Sequence, residues 1–342
     1  MPLPLSKVEL ALLRITKMVI HRVGPAAGDF KLLKGEKTAG LSEQFFIERL
    51  ASANRGSSYH FRADSRVLVA LRAIRDDKKT LVTHGAALAQ AFQDAHVVTS
   101  RAGSFVLFVL ALETEALFAI VKFDHQRAVN ATDSAGNVDL GLLEKAIVED
   151  KEAMQKSAFV RFTIDGGDLI VRDRSPKVAQ YFEQFLGVER TQTPALLTKT
   201  LQKVLNKVAD DQEAALGEPF IRQLPKRLYD AFQAINTFDP DDDTLLTTVF
   251  GPAAQGQGVR DAFEREMGVA GIATEQFDFD KSVVRRPTRT KIITNEGIEI
   301  LVGDEFLDRV DESRVAQDGV ITIRTTGIRN YESLTDKDRR VR

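Results

Sequence analysis

SFVLFVLAL at residues 104–112 and LFAIVKF at residues 117–123 are the stretches that decide the fold. Each run is almost continuously apolar and rich in Phe, Val, Ile and Leu. Neither approaches the roughly 20 residues that a membrane helix requires. Both suit strands covered on two faces. The link Glu113-Thr114-Glu115 is short enough to join them as a hairpin.

Working outward, AFVRFTI at 158–164 reads as another strand. Asp165-Gly166-Gly167-Asp168 is a turn signal, and residues 169–172 complete a second hairpin. On the amino-terminal side, residues 8–23 alternate loosely and are rich in Ile, Val and Leu. Gly24, Pro25 and Gly28-Asp29 interrupt them and residues 30–33 resume, which predicts two strands around that loop. Residues 41–50 read as a helix capped by Ser42, with Phe45, Phe46, Ile47 and Leu50 as its apolar face. Residues 86–96 give a second helix. Residues 55–79 are basic and mixed, helix or loop. Residues 124–137 read as a loop and 140–147 as a short helix or extended edge. Pro176 is placed to start a helix behind Ser175, with Val178, Tyr181, Phe182 and Phe185 as its stripe and Gly187 as its end.

Beyond Thr193 the composition shifts to several helices, broken at Gly217-Glu218-Pro219, Phe238-Asp239-Pro240 and Gly251-Pro252. Residues 277–286 read as irregular. Residues 290–294, 298–302 and 320–324 are short β-type runs, and residues 332–342 are a polar, loose tail. The expected class is α+β: a mixed or antiparallel sheet with flanking helices, a helical middle block and a small C-terminal β unit. Hairpin-like pairing of the strands argues against a parallel βαβ series. The expected boundaries are 1–188 for the α+β domain, 189–275 for the helical block, 276–330 for the β-rich unit and 331–342 for the tail.

The 342 residues carry 47 Lys and Arg against 49 Asp and Glu, a formal charge of 47 − 49 = −2. That excludes a histone-like polycation, so any polyanion must be held by a local patch. With no cysteine, disulfides, Cys-ligated metals and thiol catalysis are excluded. The amino terminus has charges at Lys7, Glu9, Arg14 and Lys17 and does not read as a signal peptide. A cytoplasmic location, with no membrane contact, is the expectation.

Catalytic motifs are missing: there is no phosphate-binding P-loop, GxGxxG, HExxH or GxSxG. The histidines His21, His60, His84, His96 and His125 are scattered. Asp239, Asp241 and Asp243 match the first positions of a calcium loop, but Thr244 stands where it needs Gly and Phe250 where it needs Glu. They read instead as carboxylates at the start of the helix LLTTVF. Asp165 and Asp168 flank a turn. A nuclease site of scattered acids would fit least badly where the strand 159–164 runs into Asp165. No catalytic, cofactor or metal residue is assigned. The basic positions are more suggestive. Arg285, Arg286, Arg289 and Lys291 surround Pro287. Arg172, Arg174 and Lys177 surround Pro176. Arg324 and Arg329 lead a basic C-terminal end that continues through Lys337, Arg339, Arg340 and Arg342. Such clusters can neutralise phosphates with salt-dependent affinity. Each can equally be a solvated face or a set of internal ion pairs. No base-reading motif accompanies them.

The order of features resembles the bacterial 37-kDa nucleoid-associated protein family (NdpA/YejK-like). The resemblance is carried by the amino-terminal strands with the 41–50 helix and by GSFVLF at 103–108 with the strand at 117–121. It continues through 159–163 leading into 172–175, KVAQYFEQFLG at 177–187, and the C-terminal segments 292–300 and 319–323. It spans nearly the whole chain and implies association with the nucleoid and DNA, without enzymatic activity. It carries over no residue roles. The expected function is non-catalytic, weakly sequence-selective binding to the DNA phosphate backbone. The alternatives are a protein–protein module recruited to the nucleoid by a partner, and a metal-dependent DNA-processing enzyme in phage conflict. A homodimer through the sheet or the helical block is left open.

Overall fold

A computed structural model describes residues 3–26, 28–95, 101–134, 137–148, 153–163, 166–175, 177–293, 297–303, 306, 310–315 and 318–325. The chain divides into two compact units, Met1–Val284 and Arg285–Arg342.

In chain order the first unit contains α1 (Lys7–Leu12), β1 (Arg14–Val23), α2 (Glu43–Ala53), β2 (Ser57–Phe61), α3 (Arg66–Asp76), α4 (Leu81–Ala95), β3 (Gly103–Leu112), β4 (Glu115–Asp124), β5 (Gln126–Ser134) and β6 (Asn137–Ala146). It continues with β7 (Met154–Thr163), β8 (Gly166–Asp173), α5 (Gln180–Leu186), β9 (Val188–Arg190), α6 (Pro194–Asp211), α7 (Glu213–Leu216) and α8 (Glu218–Ala234). β10 (Thr237–Phe238), α9 (Thr244–Phe250), α10 (Gln257–Val269) and β11 (Phe277–Asp278) complete it. The second unit has β12 (Arg289–Ile293), β13 (Glu299–Gly303), β14 (Val310–Val315) and β15 (Asp318–Ile323), paired as two hairpins.

The architecture is α+β. Seven strands form one sheet in the order β1-β3-β4-β7-β8-β2-β9, and every pairing in it is antiparallel. The two runs that opened the sequence, β3 and β4, lie inside this sheet and are buried on both faces. Phe105, Leu107 and Ile120 pack under α3, α4 and α5, against Leu71, Phe92 and Phe182. Phe108, Leu110 and Val121 point the other way, toward Phe46 and Leu50 of α2. α6, α8, α9 and α10 enclose a further core around Leu201, Leu205, Phe232 and Phe250.

Several local expectations are corrected. The first part of the 8–23 strand is helix α1, because Ser6 and Glu9 cap it reciprocally: Glu9 N donates to Ser6 Oγ at 3.2 Å and Ser6 N to Glu9 Oε2 at 2.8 Å. The returning strand at 30–33 is reduced to one isolated bridge, Arg22 to Lys31, and a second, Met18 to Lys37, follows it. The 55–79 stretch hides β2, which fits between β8 and β9. The expected loop at 124–137 contains strand β5, and 140–147 takes the extended one of its two readings, as part of β6, which pairs with β5. Both strands lack the apolar run that marks a buried strand. Ser42 makes no side-chain cap. The helix expected from Pro176 starts at Gln180. Asp173 at the end of β8 anchors the residue before it, Oδ2 accepting from Ala179 N at 3.0 Å. Pro176 itself and Asp165 lie outside the described residues. Gly187 ends the helix as expected, with φ +67.

Two outcomes test this packing. A Cβ added at Gly103 would stand 2.1 Å from the Phe123 carbonyl oxygen. Gly103→Ala should therefore cost about 1–3 kcal/mol, read as a lower urea midpoint. His21 is fully buried, and its Nδ1 accepts from Leu33 N at 3.1 Å, so the proton sits on Nε2. Burial holds His21 below its ordinary 6.5. As the pH falls below that value the unfolded chain binds a proton that the folded chain refuses, so stability drops. His21→Gln should flatten the fall in Tm between about pH 7 and pH 5.

Candidate nucleic-acid interface

The basic residues expected to act together fall into separate settings. Arg172 is half-buried, and its Nη1 donates to the Ser52 carbonyl at 3.1 Å, holding the end of α2. Arg174 is paired with Asp124. Lys177 is exposed. Arg324 is exposed in the second unit, and Arg329 lies outside the described residues.

The 285–291 group is different. Arg285, Arg286 and Arg289 are all exposed, and none has a carboxylate partner among the described residues. β12 has the two-residue alternation of a half-covered strand: Arg289, Lys291 and Ile293 are exposed, while Thr290 and Ile292 are partly covered. The register places Lys291 opposite Leu301 and Ile293 opposite Glu299. The outward face thus carries Arg289 and Lys291 about 7 Å apart along the strand. Lys291 Nζ meets Glu299 Oε1 at 2.6 Å, with both side chains about half-exposed or more. Such a surface pair is worth about 0–1 kcal/mol and leaves the ammonium exchangeable.

The fold also assembles charge that sequence reading missed. His21, Phe105, Lys122, Lys156 and Asp173 are register partners across β1, β3, β4, β7 and β8. Lys122 and Lys156 are almost fully buried and lie directly opposite each other. Lys122 Nζ donates to the Arg101 carbonyl at 2.6 Å, to Asp124 Oδ1 at 2.8 Å and to Gln155 Oε1. That uses all three of its protons. Gln155 sits where the β4–β7 register shifts. Lys156 is paired with Asp173 and lies 4.8 Å from the Tyr181 ring centroid. Burial pulls both lysines below their ordinary value, and Asp124 and Asp173 pull back. The one available signal was a lysine inside the apolar run LFAIVKF.

Elsewhere the acids are internally engaged. Asp241 pairs with Arg55, Asp243 with Arg260, and Asp239 Oδ1 accepts from Asp241 N. Asp242 Oδ1 accepts from Thr244 N at 2.9 Å, at the entry of α9. Among the described residues no group of three His, Asp or Glu is placed to hold a metal ion. A cavity of about 280 Å³ lies in the helical block, floored by Leu245, Leu246, Phe263 and Met267. No described helix is long and apolar enough to cross a membrane.

An α+β protein with one large antiparallel sheet and exposed arginines leading a small β unit is the class this geometry defines. A family model described as nucleoid-associated protein YejK matches residues 19–332. The chain belongs to that family. No curated protein matches it significantly.

The buried row has a direct test. Asp173→Leu would strand the Lys156 ammonium and should cost about 3–5 kcal/mol. The double variant Lys156→Met with Asp173→Leu should recover much of that loss, because it removes both charges. Chemical denaturation of the single and double variants checks both.

Proposed function

We propose that this chain is a non-catalytic protein of the cytoplasmic nucleoid that holds DNA by its phosphate backbone. The observation that carries the reading is the group Arg285, Arg286 and Arg289, exposed and without a carboxylate partner among the described residues, beside the weakly held Lys291. Guanidinium groups present forked donors suited to phosphate oxygens. Nothing in the group is arranged to read base edges, so sequences should bind alike. A net charge of −2 is compatible with this, because the field that matters is local. Lys177 in the first unit and Arg324 in the second are each exposed. Arg172 and Arg174 contribute through the structure they hold. Family membership supports a place at the nucleoid.

A second reading is favoured by a different observation. On the β5–β6 hairpin Val129 and Leu142 are register partners, and both are more than half exposed. An apolar ribbon of this kind suits a protein partner that would bring the chain to the nucleoid.

Fluorescence anisotropy with unrelated duplexes separates the two readings. Four phosphate contacts should give a log–log salt slope of about −3.6. Arg285→Gln with Arg286→Gln should make that slope shallower by about 2, equally for every duplex. If the purified protein ignores naked DNA at low salt, the partner-borne reading replaces direct binding.

A further inference from the structure

We propose that the corner of the sheet where Ser104 meets His125 is a second anion site, taking a phosphate group between Arg22, His125 and Lys145.

The strand register builds the corner. Arg22 on β1 lies directly opposite Ser104 on β3, and Ser104 lies opposite Phe123 on β4. His125 follows two residues later, anchored by its N–H to the Ala102 carbonyl at 3.1 Å. Arg22, Ser104, Phe123 and His125 therefore share one side of the sheet. The imidazole reaches back, and His125 Nε2 meets Ser104 Oγ at 3.0 Å. Gln126 then pairs with Ala146, which brings the exposed Lys145 in beside the histidine.

Donors at this corner are left over. Arg22 Nε is buried without a hydrogen-bond partner among the described residues. Lys145 Nζ has none among the described residues, nor has His125 Nδ1, which is a donor when Ser104 Oγ donates to Nε2. A buried donor left without a partner is unfavourable, and an oxyanion would relieve it. The charge points the same way. Burial, and after it the charges of Lys145, Arg22 and Lys122, hold the His125 ring below its ordinary value. Asp124 alone opposes them, and its two oxygens are taken by Lys122 and Arg174. Lys122 supplies charge but no free proton, since its three donors are used. Lys31, the bridge partner of Arg22, is exposed and adds a further cation along the edge. Donors arriving from β1, β6 and the end of β4 suit a tetrahedral oxyanion better than a planar carboxylate, which a single forked arginine satisfies.

The phosphate can belong to a nucleic-acid backbone or be free, as inorganic phosphate or on a mononucleotide. The first source rests on the DNA-binding reading above; the second does not. The test uses the full chain in three forms: wild type, Lys145→Gln, and Arg22→Gln with Lys145→Gln. Lys145 is exposed, so its single variant guards against loss through misfolding. Duplex binding is followed against salt, and the His125 ring by NMR with added inorganic phosphate or AMP. A salt slope shallower by about 1 in the single variant and about 2 in the double assigns the backbone source. A rise of the His125 pKa with phosphate or AMP, lost in the double variant and without effect on duplex binding, assigns the free source. If neither slope nor ring responds, the site is wrong, even where Arg285→Gln with Arg286→Gln still weakens DNA. A wild type that ignores duplex overturns the DNA reading and leaves the phosphate titration to decide this one.

Discussion

Two ammonium groups face each other in the middle of an apolar sheet, and much of the molecule is arranged around that constraint. Lys122 and Lys156 sit on neighbouring strands with nearly all their surface removed from water. Charges so placed persist only when paired and hydrogen-bonded. Asp124 and Asp173 provide the pairing, and each does more than neutralise. Asp124 also holds Arg174 after β8, and Asp173 anchors the entry to α5 through Ala179 N. The aromatic residues Tyr181 and Phe182 at the start of α5 then cover Lys156. One electrostatic requirement thereby ties β4, β7, β8 and α5 in a single register, where a one-residue slip would bury a lysine without its acid.

The strands that carry this row were legible because their apolar runs are long and their turns are marked. β3, β4, β7 and β8 follow from composition alone, as do the helices from Thr193 onward and the glycine stop at Gly187. The hidden parts share a cause. β2 is SSYHF, a short mixed segment whose strand character comes from neighbours remote in sequence. β5 and β6 carry no continuous apolar run, the pattern by which a buried strand is read. α1 escaped because a four-residue cap overrode a sequence with strand-like apolar content. At the candidate interface, Arg285, Arg286, Arg289 and Lys291 could be found because they are neighbours in the chain. The roles of Arg172 and Arg174 could not, since Ser52 and Asp124 are distant in sequence.

Near-neutral composition thus conceals an uneven distribution of charge. Arg161 is held by Glu115 and Glu9, and Arg190 by Glu275. These arginines knit the sheet to α1 and to the segment after α10. Glu275 is itself buried and also accepts from Ser58 N at 2.8 Å, so a carboxylate from the helical block completes the edge of β2. Cations engaged this way are not available to a polyanion. Those that remain outward are the ones whose loss should leave the fold intact.

The position of β2 bears on how the chain comes off the ribosome. Phe61 ends the strand, yet one of its neighbours begins at Gly166 and the other at Val188. During synthesis both edges of this segment stay bare while β3, β4 and β7 can already pair in sequence. Contacts this remote delay closure of the sheet and leave a sticky edge in the nascent chain. His60, the fourth of its five residues, is exposed once folded and places a polar group on the face of that strand. Chaperone dependence in the cell would then be set by a five-residue strand waiting for its partners.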